Sequence, residues 1–80
     1  MKYKFRAECS NDVVQFITNT RNKLYNYNMQ TIQAPDVEFE FETKMELHEI
    51  IAILMNITDG HVMYQTVQPL EKYTGERLRV

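Results

Sequence analysis

Two segments of the chain alternate apolar and charged side chains with a strict period of two. Residues 37–43 read Val-Glu-Phe-Glu-Phe-Glu-Thr, and residues 2–8 read Lys-Tyr-Lys-Phe-Arg-Ala-Glu. Because successive side chains of a strand point to opposite faces of a sheet, each segment has one apolar face and one polar face. Both segments are therefore predicted to be strands buried on one side, and the rest of the chain must supply a layer that covers that side.

Two further segments repeat their apolar residues at helical spacing. The first stripe contains Val13, Phe16, Ile17, Thr20 and Leu24, and the second contains Leu47, Ile50, Ile51, Leu54 and Ile57. Spacings of three and four residues place each stripe on one side of a helix. Residues 10–12, Ser-Asn-Asp, supply N-cap candidates for the first helix. Thr43 and Glu46 have the spacing of a capping box that would start the second helix.

Two weaker strands are predicted at residues 29–34 and 61–67. Asn26 and Asn28 favour a turn before the former, and Pro69 ends the latter. The element order is then strand, helix, strand, strand, helix, strand. This order predicts an α+β fold, a ferredoxin-like βαββαβ two-layer sandwich. We expect an antiparallel sheet with parallel central strands 1 and 3, and two helices on one face. Residues 1–69 would form this single domain, and residues 70–80 a polar C-terminal tail.

Charge is distributed unevenly, although nine basic and eleven acidic residues leave a formal net charge of only −2. The basic side chains of the first strand and the glutamates of the third are predicted to face each other on the open side of the sheet. RNA-binding domains of the RRM type stack bases on aromatic rings displayed on that open side. In this sequence the aromatic residues of the first and third strands lie on the apolar face instead: Tyr3, Phe5, Phe39 and Phe41. Nucleic-acid binding stays an alternative, through a basic patch. Its candidate residues are Arg21, Lys23, Lys72, Arg77 and Arg79.

No combination of residues in the sequence is typical of a catalytic, metal or cofactor site. One cysteine and two histidines cannot assemble a structural zinc site from nitrogen and sulfur ligands alone. The two glycines, Gly60 and Gly75, form no phosphate-binding loop. Cys9, between the first strand and the first helix, is interpreted either as a buried small side chain or as a thiol activated by the helix N-terminus. We expect no enzyme activity, no catalytic residues, no metal and no cofactor.

The pattern from Val37 to Thr43 running into a helix, together with element order and length, resembles small ACT-like or ferredoxin-like regulatory proteins, including the family typified by bacterial YbeD. The resemblance covers residues 2–68 and implies a regulatory role. For ACT domains it also implies sensing of a small molecule. These domains usually carry a glycine in the first strand-to-helix loop, where residues 9–12 here read Cys-Ser-Asn-Asp. The size and the content of Asn, Tyr, Lys and Ile also look like small phage accessory proteins.

These features together predict a small non-enzymatic protein-interaction module that binds and modulates another protein, as a phage-type accessory or inhibitor protein would. The partner is another protein or a second copy, which would give a homodimer through an edge strand or a helix face. Methionine and aromatic side chains make adaptable contacts, unless they only complete the core. The partner-binding candidates are Met45, Ile53, Met55, Met63, Tyr64 and Tyr73. A nucleic-acid-binding protein and an ACT-like small-molecule sensor are the alternatives.

A cytoplasmic location is predicted, with no membrane partner. The longest apolar run, residues 50–55, is too short to cross a bilayer. The first six residues alternate rings and cations and are not followed by the apolar stretch of a signal peptide. A single cysteine suits a reducing compartment.

Overall fold

A four-stranded antiparallel sheet and two helices form an α+β architecture in the computed structural model, which describes residues 1–58 and 67–73. The elements are β1 (Lys2–Ala7), α1 (Ser10–Thr20), β2 (Leu24–Gln33), β3 (Asp36–Thr43), α2 (Leu47–Thr58) and β4 (Gln68–Pro69), followed by a 3-10 helix (Leu70–Lys72). Neither described helix is long and apolar enough to cross a membrane.

The strands lie in the order β2-β3-β1-β4. β3 pairs antiparallel with both β2 and β1, and β1 pairs antiparallel with β4. The prediction of parallel central strands 1 and 3 is therefore wrong. Helix α1 carries the chain back along the sheet, so β1 and β2 run in the same direction. The β2–β3 hairpin, which turns at the cis Ala34-Pro35 peptide bond, then reverses β3 relative to both.

Several element boundaries differ from the predicted ones. Helix α1 ends at Thr20, so the placement of Leu24 in its apolar stripe is wrong, because Leu24 pairs with Thr43 as the first residue of β2. β2 begins at Leu24 rather than at residue 29, and it includes Asn26 and Asn28, which were predicted to turn. Pairing with β3 decides this, because Asn26 lies opposite Glu42 and Asn28 lies opposite Glu40. Most of the strand predicted at residues 61–67 lies outside the described residues, and β4 begins just after it.

The predicted capping box at Thr43 does not form. Thr43 is the last residue of β3 and is paired with Leu24, so it cannot also cap a helix that begins four residues later. Its hydroxyl donates to the carbonyl oxygen of Lys23 at 2.7 Å and accepts from the backbone N–H of Met45 at 3.1 Å. The carbonyl of Glu46 accepts the first helical N–H groups of α2 instead.

Four phenylalanines form the centre of the core. Phe5, Phe39 and Phe41 come from the apolar faces of β1 and β3, as predicted, and Phe16 comes from α1. All six pairs among these rings have centroids 5.1 to 6.0 Å apart, in the range of favourable aromatic contacts. Ile50 and Leu54 of α2 belong to the same buried cluster. Both helices therefore cover the same face of the sheet.

The opposite face of β1 and β3 carries the charges. In the antiparallel register Lys2 lies opposite Glu42, Lys4 opposite Glu40 and Arg6 opposite Glu38. The ion pairs are diagonal: Lys4 Nζ is 3.4 Å from Glu38 Oε1, and the guanidinium of Arg6 donates twice to Asp36 Oδ2, at 2.8 and 3.0 Å. The predicted pairing of basic and acidic rows is thus present, shifted by two residues along β3.

Replacing Phe16 by alanine removes the helix ring that contacts three strand rings. We expect the free energy of unfolding to fall by about 3–5 kcal/mol, since Phe16 is fully buried. Urea unfolding followed by circular dichroism measures this. Val14→Ala, at a 53% exposed position of the same helix, is the control and should change stability by no more than about 0.5 kcal/mol. Equal losses in the two variants would contradict the assigned core.

A double-mutant cycle tests the Arg6–Asp36 pair. Because both side chains are largely buried and two N–H groups share one carboxylate oxygen, we expect a coupling free energy of about 0.5–1 kcal/mol between Arg6→Ala and Asp36→Ala. Thermal or urea unfolding of the two single variants and the double variant supplies the value. Strictly additive losses would show that the pair contributes nothing to stability.

Candidate interaction surface on the edge strand

Among the described strands, β2 lies at one edge of the sheet and pairs with β3 alone. Its ten residues include no charged residue, no proline and no glycine, and nine of them are exposed. Folded proteins usually protect a long edge with lysine, proline, a bulge or a covering segment. Irregular register occurs between Leu24 and Asn26 and between Thr31 and Gln33. The stretch between these irregularities keeps regular strand geometry and carries no charge or proline.

The apolar side of β2 is only partly covered by the helices. Tyr27 lies opposite Phe41 and Met29 opposite Phe39, so both share the face that forms the core. The ring of Tyr27 is 5.8 Å from that of Phe39. Tyr27 is nevertheless 54% exposed and Met29 is 42% exposed, whereas the two phenylalanines are buried. The helix layer therefore ends near β3, and an apolar strip continues the core out to the surface.

Exposed large apolar side chains are concentrated on this strand. Within residues 1–58 and 67–73, four of the seven belong to β2: Tyr25, Tyr27, Met29 and Ile32. The other three are Met1, Val14 and Met55, which belong to the N-terminus and to the two helices. Near one end of the strand, Lys44 Nζ lies 6.0 Å from the centre of the Tyr25 ring. We call residues Leu24–Gln33 the β2 edge.

The other side of the β2 edge is a row of amides. Asn26, Asn28 and Gln30 lie opposite Glu42, Glu40 and Glu38, and Asn26 Nδ2 donates to Glu42 Oε1 at 3.4 Å. A shallow depression of about 240 Å³ lies there, and Lys2 also lines it. In the part of the chain that the structure describes, no three His, Cys, Asp or Glu side chains are placed to hold a metal ion.

The four partner-binding candidates that the structure describes do not form one surface. Met45 is 7% exposed and belongs to the core, and Ile53 packs against the same core. Met55 is exposed on α2, whereas Tyr73 lies across the charged face of the sheet, on Glu38. Met63 and Tyr64 lie outside the described residues.

The basic candidates are divided between two segments. Arg21 and Lys23 are exposed in the connection between α1 and β2, and Lys72 is exposed in the 3-10 helix after β4. These segments adjoin opposite edges of the sheet. Arg77 and Arg79 lie outside the described residues.

Cys9 and His48 are both at the surface. Cys9 is exposed, at the N-cap position of α1, so its predicted burial is wrong: the strand ends at Ala7 and its alternation no longer applies. His48 Nδ1 is 3.4 Å from Glu46 Oε2, and both side chains are 75% exposed. Neither residue is part of an enclosed site.

The β2 edge has a sequence signal that the prediction of a turn concealed. Tyr25, Tyr27 and Met29 alternate with Asn26 and Asn28, which is the period of a strand. Asparagine favours turns when considered alone, but tyrosine favours strands. The alternation taken by itself predicts a strand from Tyr25, one residue after the observed start of β2 at Leu24.

Tyr73 attaches the segment after β4 to the charged face of the sheet. Its hydroxyl donates to Glu38 Oε2 at 2.7 Å, and Lys4 Nζ lies 5.3 Å from the centre of its ring. Burial, and then the hydrogen bond and negative charge of Glu38, raise the pKa of the Tyr73 phenol well above its usual value, while Arg6 opposes the shift. The phenol therefore stays protonated and keeps donating.

Alkaline titration tests this contact. Because the pKa of Tyr73 is higher in the folded state, its contribution to stability is complete at neutral pH and is lost as the pH rises beyond about 10, the usual value for tyrosine. We expect phenolate absorbance to show a late titration step that Tyr73→Phe removes. Tyr25→Phe, at an exposed position, should leave the late step unchanged. A single step at the ordinary pH for all tyrosines would contradict the contact.

Comparison of the chain with protein-family models, with curated proteins and with solved structures found no match. The β2 edge is the feature of the described residues that combines length, exposure, apolar side chains and lack of charge.

Proposed function

We propose that the chain is a small non-enzymatic protein-interaction module that binds another polypeptide along the β2 edge and modulates the protein to which it belongs. The observation that carries this proposal is the accumulation of exposed apolar side chains on a ten-residue edge strand without charge. The order and direction of the four strands support a ferredoxin-like sandwich as its scaffold, and an accessory or inhibitory role in the cytoplasm is part of the same proposal.

Strand addition is the binding mode that this edge favours. An edge strand has backbone N–H and C=O groups on its free side, and an extended peptide can pair with them. Side chains of the added strand would alternate between the two faces of the sheet. On one face they would meet the strip of Tyr27 and Met29, and on the other the amides of Asn28 and Gln30. The strip supplies apolar area, while the backbone supplies directed hydrogen bonds.

A protein partner fits the local charge better than a nucleic acid. The β2 edge contains no cation, and the neighbouring strand presents Glu38, Glu40 and Glu42 toward its amide side. On β1, Lys4 and Arg6 already lie in ion pairs. Nucleic-acid binding depends on neutralising phosphates with free Lys or Arg. The exposed tyrosines would therefore stack on bases in an acidic environment, which opposes binding of a polyanion.

Affinity retention from host lysate tests the proposal, with the tagged chain as bait. The variant Asn28→Lys with Gln30→Lys puts two cations on the edge. Because these positions are exposed and lie opposite Glu40 and Glu38, we expect the fold to tolerate the added charges, and circular dichroism of the variant checks this. The variant Gln15→Lys with Asn19→Lys makes the same chemical change at exposed positions of α1 and is the matched control.

We expect the wild-type chain and the α1 control to retain the same protein, with or without nuclease, and the edge variant to lose at least nine-tenths of it. Retained material that disappears on nuclease treatment would support the nucleic-acid alternative and contradict the proposal. Equal retention by the edge and α1 variants would show that the partner binds elsewhere.

A further inference from the structure

We infer that a polypeptide bound by the β2 edge is the β2 strand of a second copy of this chain, paired antiparallel about a twofold axis. The two four-stranded sheets then join into one sheet of eight strands. This inference rests on one part of the proposed function, the use of the β2 edge as the binding surface, and assigns that surface to a second copy rather than to another protein. Two properties of β2 support it: side chains that are complementary to themselves, and a regular, uncharged stretch of strand.

The side chains of β2 are chemically complementary to themselves. An amide both donates and accepts, so Asn26, Asn28 and Gln30 can pair with the same residues of another copy. A carboxylate or an ammonium group could not do so without like-charge repulsion, and β2 has neither. Each copy has a net charge of −2, yet none of that charge is on the strand that would meet its copy.

Symmetry restricts how two β2 strands can pair. Two identical antiparallel neighbours in one sheet are related by a twofold axis perpendicular to the sheet, which keeps the helix side of one copy on the helix side of the other. Directly opposite residues share a face, so an outward residue such as Asn28 cannot oppose an inward one such as Met29. The axis must therefore pass midway between one residue and the same residue of the second copy. The centre of the regular stretch makes that residue Asn28 or Met29.

This pairing covers the apolar strip. With the axis at Asn28, Tyr27 of one protomer lies opposite Met29 of its partner; with the axis at Met29, the two methionines face each other. In both cases Tyr27 and Met29 of the two protomers form one continuous apolar surface between the two helix layers. Tyr27 and Met29, which extend the core in one copy, then become part of a continuous core.

Twofold symmetry closes the assembly at two copies, because pairing through β2 uses the same edge of both protomers. The regular stretch of that edge, residues 26–31 between the two register irregularities, extends about 20 Å at about 3.3 Å per residue. The longest dimension of the molecule is 28 Å.

Sedimentation velocity of the purified 80-residue chain over a wide concentration range tests the inference. We expect a reversible species of twice the monomer mass. Met29→Lys and Met29→Glu should each weaken dimerisation at least tenfold by placing like charges near the axis, and an equimolar mixture of the two should restore it. Met55→Lys is the matched control, because Met55 is as exposed as Met29, at 42%, but lies on α2. It should dimerise like the wild type.

Cysteine cross-linking provides a second measurement that does not need a charge next to the core. In a Cys9→Ser background, we introduce Asn28→Cys, Met29→Cys or Ile32→Cys separately. A residue on the axis faces its own copy at a Cα distance of about 4.5–5.5 Å, within reach of a disulfide. Mild oxidation should therefore give a covalent dimer at position 28 or 29 and none at position 32.

Three results would overturn the inference: a monomer at every concentration, a dimer abolished by Met55→Lys but not by the Met29 variants, or assemblies that grow beyond two copies. A strictly monomeric chain that still retains a partner in the lysate assay would refute self-pairing and leave the proposed function standing. A dimer with the expected variants that retains no other protein would support self-pairing and would contradict the proposed modulation of another protein.

Discussion

Contact between Phe16 and the rings of Phe5, Phe39 and Phe41 is the interaction on which the rest of the structure depends. It attaches the first helix to the two central strands and forms the middle of the core. A chain of 80 residues buries a limited fraction of its surface. One apolar layer uses most of the large side chains, so the other face of the sheet is left to charged and amide residues.

The uncovered edge follows from the same limit. Two helices packed above β1 and β3 do not extend over the whole of β2, so Tyr27 and Met29 continue the core without a layer above them. In most small domains such a strand would be charged or short, and here it is neither. The other side of the molecule is closed differently, because Tyr73 holds the segment after β4 against Glu38 and Lys4. Within residues 1–58 and 67–73, the exposed apolar surface is therefore concentrated on the β2 edge.

Residue type alone does not decide which apolar side chains remain at the surface. Met45 was selected because methionines make adaptable contacts, but it completes the core. Met29 and Tyr27 were not selected, because the asparagines between them were interpreted as a turn. Whether an apolar side chain is buried in the core or exposed at the surface depends on how far the helices extend over the sheet. That extent is set by packing between segments far apart in the sequence.

Alternation and helical spacing in the sequence by themselves determined the presence of the two helices and the inward faces of β1 and β3, because each depends on a local periodicity. Only the tertiary structure decided the antiparallel direction of β1 and β3, the start of β2, the role of Thr43 and the exposure of Tyr27 and Met29. These depend on which strand lies beside which and on how far the helices reach. These features arise from contacts between segments that are distant in the sequence, and no periodic pattern of the sequence encodes them.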